Sequence, residues 1–119
     1  MRAQPAKILV VDDETIVTDT LRVELVREGY EVLEAADGTT AIDIFVSEHD
    51  RIDLVLLDLM LPDIHGLEVL EELQAIHEGV RVIIITGVTN TDDVPEHLSI
   101  VRKPFAMNGL LETVEGSLS

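Results

Sequence analysis

Five short aliphatic segments, separated by amphipathic ones, constrain the fold of this chain more than any other feature of its sequence. They are KILVV (7–11), YEVLEA (30–35), DLVLLD (53–58), VRVIIIT (80–86) and SIVRK (99–103). Such nearly continuous apolar character is typical of parallel strands that are covered on both faces. The sequence therefore predicts five strands buried in one sheet.

The stretches between these segments have the spacing of helices. In the first of them, Val17, Leu21 and Leu25 fall on one helix face, and Gly29 can end that helix. Similar patterns complete a set of four predicted helices, over residues 14–28, 38–48, 66–77 and 106–117. Strand alternating with helix favours an α/β fold, in which a single doubly wound parallel sheet carries helices on both faces.

The composition limits what such a domain can bind. Eight Lys and Arg residues against 24 Asp and Glu give the chain of 119 residues a formal net charge of −16. Because nucleic-acid binding requires cationic side chains that neutralise phosphates, we expect no direct contact with DNA or RNA. The sequence has no membrane-spanning apolar run, no secretory signal and no cysteine, so we expect a cytoplasmic protein.

Polar and charged residues stand where the predicted strands end. Asp12 and Asp13 follow the first strand, Asp58 ends the third, Thr86 ends the fourth and Lys103 ends the fifth. In sheets of this kind, ligands bind beyond the carboxyl ends of the strands, at the point where strand order reverses. We therefore expect three carboxylates, a hydroxyl and an ammonium to share one edge of the sheet.

These groups suit phosphoryl chemistry. Two carboxylates about 4 Å apart repel each other by about 4 kcal/mol at an effective dielectric constant of about 20. A hard divalent cation removes that repulsion, and a site built from a few carboxylates suits Mg²⁺. Lys103 and Thr86 can then hold a second anionic group, which makes a phosphoryl-transfer site with one exposed carboxylate as the nucleophile.

Four segments, ILVVDDE, DLVLLDLMLPDIHGLEVL, IIITG and RKPF, occur in this order with their polar residues at the predicted strand ends. Together they resemble the receiver domain of two-component response regulators, over essentially the whole chain. The resemblance implies one receiver domain over residues 1–119, with the flavodoxin-like strand order 2-1-3-4-5. It also implies a phosphorylation-activated signalling or phosphorelay domain, which is not an independent enzyme but assists its own phosphotransfer and slow dephosphorylation.

The resemblance assigns a role to each acidic residue at the sheet edge. Asp58 is the expected phosphoacceptor, and its phosphoryl group comes from a phosphohistidine of a sensor histidine kinase or histidine phosphotransfer protein. Asp12, Asp13 and Asp58 are the expected ligands of Mg²⁺, together with the backbone carbonyl of Met60. We expect the signal to pass to an output domain or a downstream effector, with no membrane or nucleic acid as a direct partner.

The resemblance also assigns the residues that bind the phosphoryl group and respond to it. Lys103 is expected to pair with Asp58 at rest and with the phosphoryl oxygens afterwards. Thr86 is expected to move and form a hydrogen bond with the phosphoryl group. Gly87 and Pro104, which follow these two residues, belong to the same phosphoryl-binding and switch set.

Two departures from the family pattern predict how this domain differs. The family has an aromatic residue three positions before the lysine, where this chain has Ile100. The segment from Thr86 to Lys103 is also short by roughly five residues, about one and a half helical turns. We therefore expect the helix between the fourth and fifth strands to be stunted or missing, and phosphorylation to act by ordering the mobile residues 87–98.

Two other functions share the predicted architecture. A flavodoxin-like electron carrier needs a loop of backbone donors for the flavin phosphate, at the place where this chain has two aspartates. A phosphohydrolase with an aspartyl nucleophile carries a second carboxylate two residues further on, where this chain has Met60. For a receiver, the sequence leaves open a stand-alone protein, a domain of a longer regulator or of a hybrid kinase, and also the cognate kinase, the stimulus and the oligomeric state.

Overall fold

A five-stranded parallel sheet is the central layer of the protein in a computed structural model, which describes residues 4–119. The strands are β1 (Lys7–Val11), β2 (Glu31–Ala35), β3 (Leu54–Leu57), β4 (Val82–Thr86) and β5 (Ser99–Arg102). Their order across the sheet is β2-β1-β3-β4-β5, and every neighbouring pair runs parallel. The five predicted strands and their predicted order are confirmed.

Within residues 4–119, four helices follow β1, β2, β3 and β5, and the ends of each lie within one residue of the predicted bounds. They are α1 (Thr15–Arg27), α2 (Gly38–Glu48), α3 (Gly66–Ile76) and α4 (Met107–Leu118). Gly29 comes shortly after α1 and has a φ of 96°, in the left-handed region that favours glycine. It therefore ends the first helix, as the sequence predicts.

The hydrophobic core lies in two layers, because successive side chains of a strand point to opposite faces of the sheet. On one face, Phe45 of α2 and Leu73 of α3 belong to the same buried cluster as Leu9 of β1. On the other face, α1 and α4 pack against the sheet, and Leu25 belongs to the same buried cluster as Ile8. Helices on both faces confirm the doubly wound α/β fold.

Residues 87–98, called the β4–β5 segment below, contain no helix, and the structure describes all of them. Two hydrogen-bonded turns fold the segment: Val94 N donates to Thr91 O at 3.0 Å, and Leu98 N donates to Pro95 O at 3.1 Å. Val94 is buried and packs into the core on the side of α2 and α3. The prediction that the helix at this place is stunted or missing is confirmed.

Candidate functional site

Backbone hydrogen bonds continue past the ends of β1 and β3 and fix two carboxylates. Asp12 N donates to Ala35 O at 3.1 Å, and Asp58 N donates to Val11 O at 2.9 Å. Asp12 and Asp58 are each only 3% exposed. Carboxylate oxygens of the two residues lie within 4.8 Å of each other, so the sheet brings them together as the sequence predicts.

The ammonium of Lys103 joins three carboxylates at this edge. Its Nζ atom lies 2.7 Å from Asp12 Oδ2, 2.7 Å from Glu14 Oε1 and 3.0 Å from Asp58 Oδ2. The backbone N–H of Lys103 donates to Thr86 O at 2.9 Å, which continues the pairing of β5 with β4 by one residue. Three carboxylates and one ammonium leave the cluster with a net charge of −2.

Burial and hydrogen bonding shift the pKa of two members of this cluster. Desolvation raises the pKa of the Asp12 carboxyl, although hydrogen bonds from Lys103 and from the Glu14 amide act against it. Burial by itself lowers the pKa of Lys103, but hydrogen bonds to the three carboxylates outweigh burial and raise it. Lys103 is therefore a stable cation that can hold an incoming anion.

The third carboxylate of the cluster, Glu14, is a residue that sequence reasoning missed. Its amide N–H donates to Asp12 Oδ1 at 2.9 Å, and this tight turn brings the Glu14 side chain to Lys103. Asp13 is exposed and takes no part in the ion pairs of Lys103 within the described residues. Asp12, Asp13 and Glu14 form the run DDE, but the pattern alone does not say which of these three acids pair with Lys103.

The loop between β3 and α3 is anchored to the start of α2. The carboxylate of Asp63 accepts hydrogen bonds from the amides of Gly38 (2.8 Å) and Thr39 (2.9 Å) and from the Thr39 hydroxyl (2.6 Å). These bonds, the one from the hydroxyl above all, hold the pKa of Asp63 well below its usual range. Met60 N donates to Asp58 Oδ1 at 3.1 Å, so the Met60 backbone lies beside the candidate acceptor.

The expected response residues lie at the ends of β4 and β5. Thr86 is fully buried, and its hydroxyl oxygen accepts a hydrogen bond from Val88 N at 3.1 Å. A hydroxyl that accepts one hydrogen bond still has its own proton to donate. Gly87 and Pro104 line the cleft beside the cluster, whereas Ile100 packs against the core on the side of α2 and α3.

That cleft is open and has a volume of about 770 Å³. Asp58 and Lys103 contribute charged groups to its lining, and much of the remaining lining is apolar, including Ile16, Met60 and Phe105. Ile16 is 80% exposed and Met60 is 60% exposed. The buried Asp58 therefore lines a cleft whose exposed apolar residues a protein partner can reach.

The acidic cluster fits a hard divalent cation. Asp12, Glu14 and Asp58 each offer one carboxylate oxygen, and these oxygens lie within 4.8 Å of one another. Oxygen donors with a net negative charge suit Mg²⁺ better than they suit softer metals. The chemistry of the residues present therefore matches the predicted metal, with Glu14 as an additional carboxylate.

Comparison with known proteins agrees with this geometry. The family described as response regulator receiver domain matches residues 8–115. The chain belongs to this family. Sporulation initiation phosphotransferase F of Bacillus subtilis is 37% identical to the receiver over 114 residues, which are 92% of this chain and 90% of that protein. Response regulator MprA of Mycolicibacterium vanbaalenii is 36% identical over 122 residues, so the receiver covers 96% of its own length but 51% of that protein.

A solved structure supports the fold and the kind of site. The response regulator protein TrrA from Thermotoga maritima, in complex with Mg(2+)-BeF, matches the receiver with a TM-score of 0.85 and 35% identity. The match covers 95% of this chain and 99% of that one. The protein is therefore a phosphorylation-activated receiver of two-component signalling. Within residues 4–119, every helix is too short or too polar to cross a membrane.

Proposed function

We propose that Asp58 is the phosphoacceptor of this receiver and takes its phosphoryl group from a phosphohistidine of a sensor histidine kinase or histidine phosphotransfer protein. The observation that carries the proposal is the pairing of Asp58 Oδ2 with Lys103 Nζ at 3.0 Å, where both residues line an open cleft. This arrangement supplies a nucleophile together with a positive charge for the incoming anion.

The reaction forms one P–O bond and breaks one P–N bond. A carboxylate oxygen of Asp58 attacks the phosphorus atom, and the electron pair of the broken bond returns to the imidazole nitrogen, which takes up a proton. Lys103 then pairs with the phosphoryl oxygens, and the Thr86 hydroxyl donates a hydrogen bond to one of them. Gly87 and Pro104 complete the set of residues around the bound group.

The proposed ligands of Mg²⁺ are Asp12, Asp13 and Asp58, directly or through water, with the backbone carbonyl of Met60. Glu14 adds a carboxylate that the sequence did not identify. When bound, Mg²⁺ neutralises the clustered carboxylates and the charge of the transferred group. The three carboxylates and Lys103 together carry a net charge of −2. This charge supports the proposal, because one divalent cation neutralises it.

The receiver acts as a phosphoacceptor and not as an independent enzyme, since its own chemistry consists of assisting phosphotransfer and slow dephosphorylation. Its likeness to 90% of a sporulation phosphotransferase supports a phosphorelay role. Its likeness to about half of a response regulator supports a receiver joined to an output domain. In either arrangement we propose that residues 1–119 form one cytoplasmic receiver domain that contacts protein partners, without direct binding to nucleic acid or membrane.

Phosphorylation by acetyl phosphate, followed by mass spectrometry of the intact protein, tests the proposal. With Mg²⁺ present we expect one hydroxylamine-labile phosphoryl group on the wild type and on the control Asp43→Asn, whose exposed carboxylate lies on α2. We expect none on Asp58→Asn, and none on the wild type in EDTA. Labelling of Asp58→Asn, or undiminished labelling in EDTA, contradicts the proposal.

A further inference from the structure

The side chain of Arg102 ties the β4–β5 segment to the end of β5. Its Nη1 donates to Val88 O at 2.7 Å, and its Nη2 donates to Thr91 Oγ1 at 2.9 Å. A guanidinium presents its donors in a rigid fork, so a single side chain holds both acceptors at once. Arg102 therefore restrains the part of the segment that leads into its first turn.

The same stretch of chain is tied to Thr86. Val88 N donates to Thr86 Oγ1 at 3.1 Å, while Val88 O accepts from Arg102. Both peptide groups that flank Val88 are thus held, one by Thr86 and the other by Arg102. Thr86 and Arg102 are also paired residues of β4 and β5. A continuous set of hydrogen bonds joins Thr86, Val88, Arg102 and Thr91.

Hydrogen bonds are the route by which a change at Thr86 can reach this segment. Ile100 has no ring that could change its orientation; it packs against the core on the side of α2 and α3 and does not line the cleft. The β4–β5 segment contains no helix that could shift as a rigid body. A change at Thr86 therefore reaches the segment through successive hydrogen bonds, first to Val88 and then through Arg102 to Thr91.

We propose that Arg102 transmits the phosphorylation state of Asp58 from Thr86 to the β4–β5 segment, an inference that rests on the function proposed above. When the Thr86 hydroxyl donates its proton to a phosphoryl oxygen, its own oxygen still accepts from Val88 N. The phosphoryl group then restrains Thr86, Thr86 restrains Val88, and the fork of Arg102 carries the restraint to Thr91. The segment becomes ordered as one unit in the phosphorylated state.

NMR relaxation with beryllofluoride and Mg²⁺, a mimic of the phosphoryl group, tests this coupling. In the wild type we expect backbone order parameters over residues 88–94 to rise from about 0.6 to about 0.8 on titration. In Arg102→Ala they stay low. Because coupling between sites is reciprocal, this variant also binds beryllofluoride about fivefold more weakly. The control Arg81→Ala removes an exposed arginine beside the opposite end of β4 and behaves as the wild type.

The variant Arg102→Lys separates the fork from its charge. An ammonium keeps the positive charge but does not reproduce the paired donors, so the response is lost in this variant as well. Full recovery in Arg102→Lys overturns the proposal, and so does a response and affinity in Arg102→Ala equal to those of the wild type. Failure of the wild type to bind beryllofluoride overturns the phosphoacceptor assignment itself, and the wild-type titration therefore tells the two failures apart.

Discussion

The two sides of the sheet's carboxyl edge are held very differently. On the acidic side (residues 12–14 and 58–66), sheet-type hydrogen bonds fix Asp12 and Asp58, and Asp63 anchors the following loop to α2. On the other side, the β4–β5 segment is held by two turns, the buried Val94 and the fork of Arg102. The chemistry is thus built on backbone that is bonded into the sheet, and the response is left to a segment that has no helix or strand.

Substitution of Lys103 is expected to have the largest effect, because this residue at the end of β5 connects the two sides by pairing with the carboxylates of the acidic side. We expect Lys103→Met to slow phosphorylation by acetyl phosphate about 100-fold, since one charge that stabilises the transferred group is lost. The control Lys7→Met removes a lysine that pairs with Glu48 at the opposite end of β1. Its phosphorylation rate should equal that of the wild type, measured by mass spectrometry over time. A rate for Lys103→Met within twofold of the wild type would remove the lysine from the reaction.

Gly66 tests how rigid the acidic side is. A Cβ at this position would lie 2.5 Å from Asp58 O and 2.5 Å from Leu59 Cα, both of them backbone atoms that cannot easily move. We therefore expect Gly66→Ala to lower the free energy of unfolding by about 2 kcal/mol, as measured by urea denaturation.

The matched control for Gly66 is Gly109→Ala in α4. A Cβ at Gly109 meets no atom within 4 Å, and alanine favours a helix by up to about 1 kcal/mol over glycine. This control should be as stable as the wild type or more so. Equal denaturation midpoints for Gly66→Ala and the wild type would show that the backbone at Asp58 and Leu59 can move to accommodate a Cβ, and that the acidic side is not rigid.

The lifetime of the phosphoryl group on Asp58 is expected to depend on one residue of the acidic side, Met60, and one residue of the β4–β5 segment, Val88. Met60 and Val88 stand two positions beyond Asp58 and Thr86, and both line the cleft with apolar side chains that cannot orient a water molecule. We expect the double variant Met60→Asn, Val88→Glu to lose its phosphoryl group about tenfold faster than the wild type. The control Val46→Glu places the same charge on an exposed valine of α2 and leaves the decay unchanged. Equal decay in the wild type and the double variant would refute this explanation.

The sequence predicts the fold well because the signals are local. Five nearly continuous apolar segments identify five covered strands, and the spacing between Thr86 and Lys103 is too short for a full helix in addition to the turns. The polar residues at the strand ends come together because parallel strands present their carboxyl ends at one edge. The pattern of the chain is therefore sufficient for the elements of the fold and for most of the charged cluster, whereas the strand order 2-1-3-4-5 comes from the resemblance to receiver domains.

The sequence predicts the supporting contacts poorly because they depend on tertiary structure. Glu14 pairs with Lys103, which lies 89 positions further along the sequence. Asp63 accepts hydrogen bonds from the amides of Thr39 and Gly38, which lie 24 and 25 positions before it. Arg102 donates to acceptors in a segment without helix or strand. In such a segment no hydrophobic periodicity indicates where a side chain or a carbonyl points. Such contacts follow from the course of the loops, which a sequence pattern does not specify.

Amide hydrogen exchange, measured by mass spectrometry with and without phosphorylation, tests the difference between the two sides most directly. We predict that the unphosphorylated protein exchanges faster over residues 87–98 than over residues 58–66, because four of eleven amides donate hydrogen bonds in the β4–β5 segment and four of eight do so in residues 58–66. Phosphorylation with Mg²⁺ should slow exchange in the β4–β5 segment and leave residues 58–66 nearly unchanged. Strong protection of residues 87–98 before phosphorylation, as in a stable helix of several turns, would contradict the account.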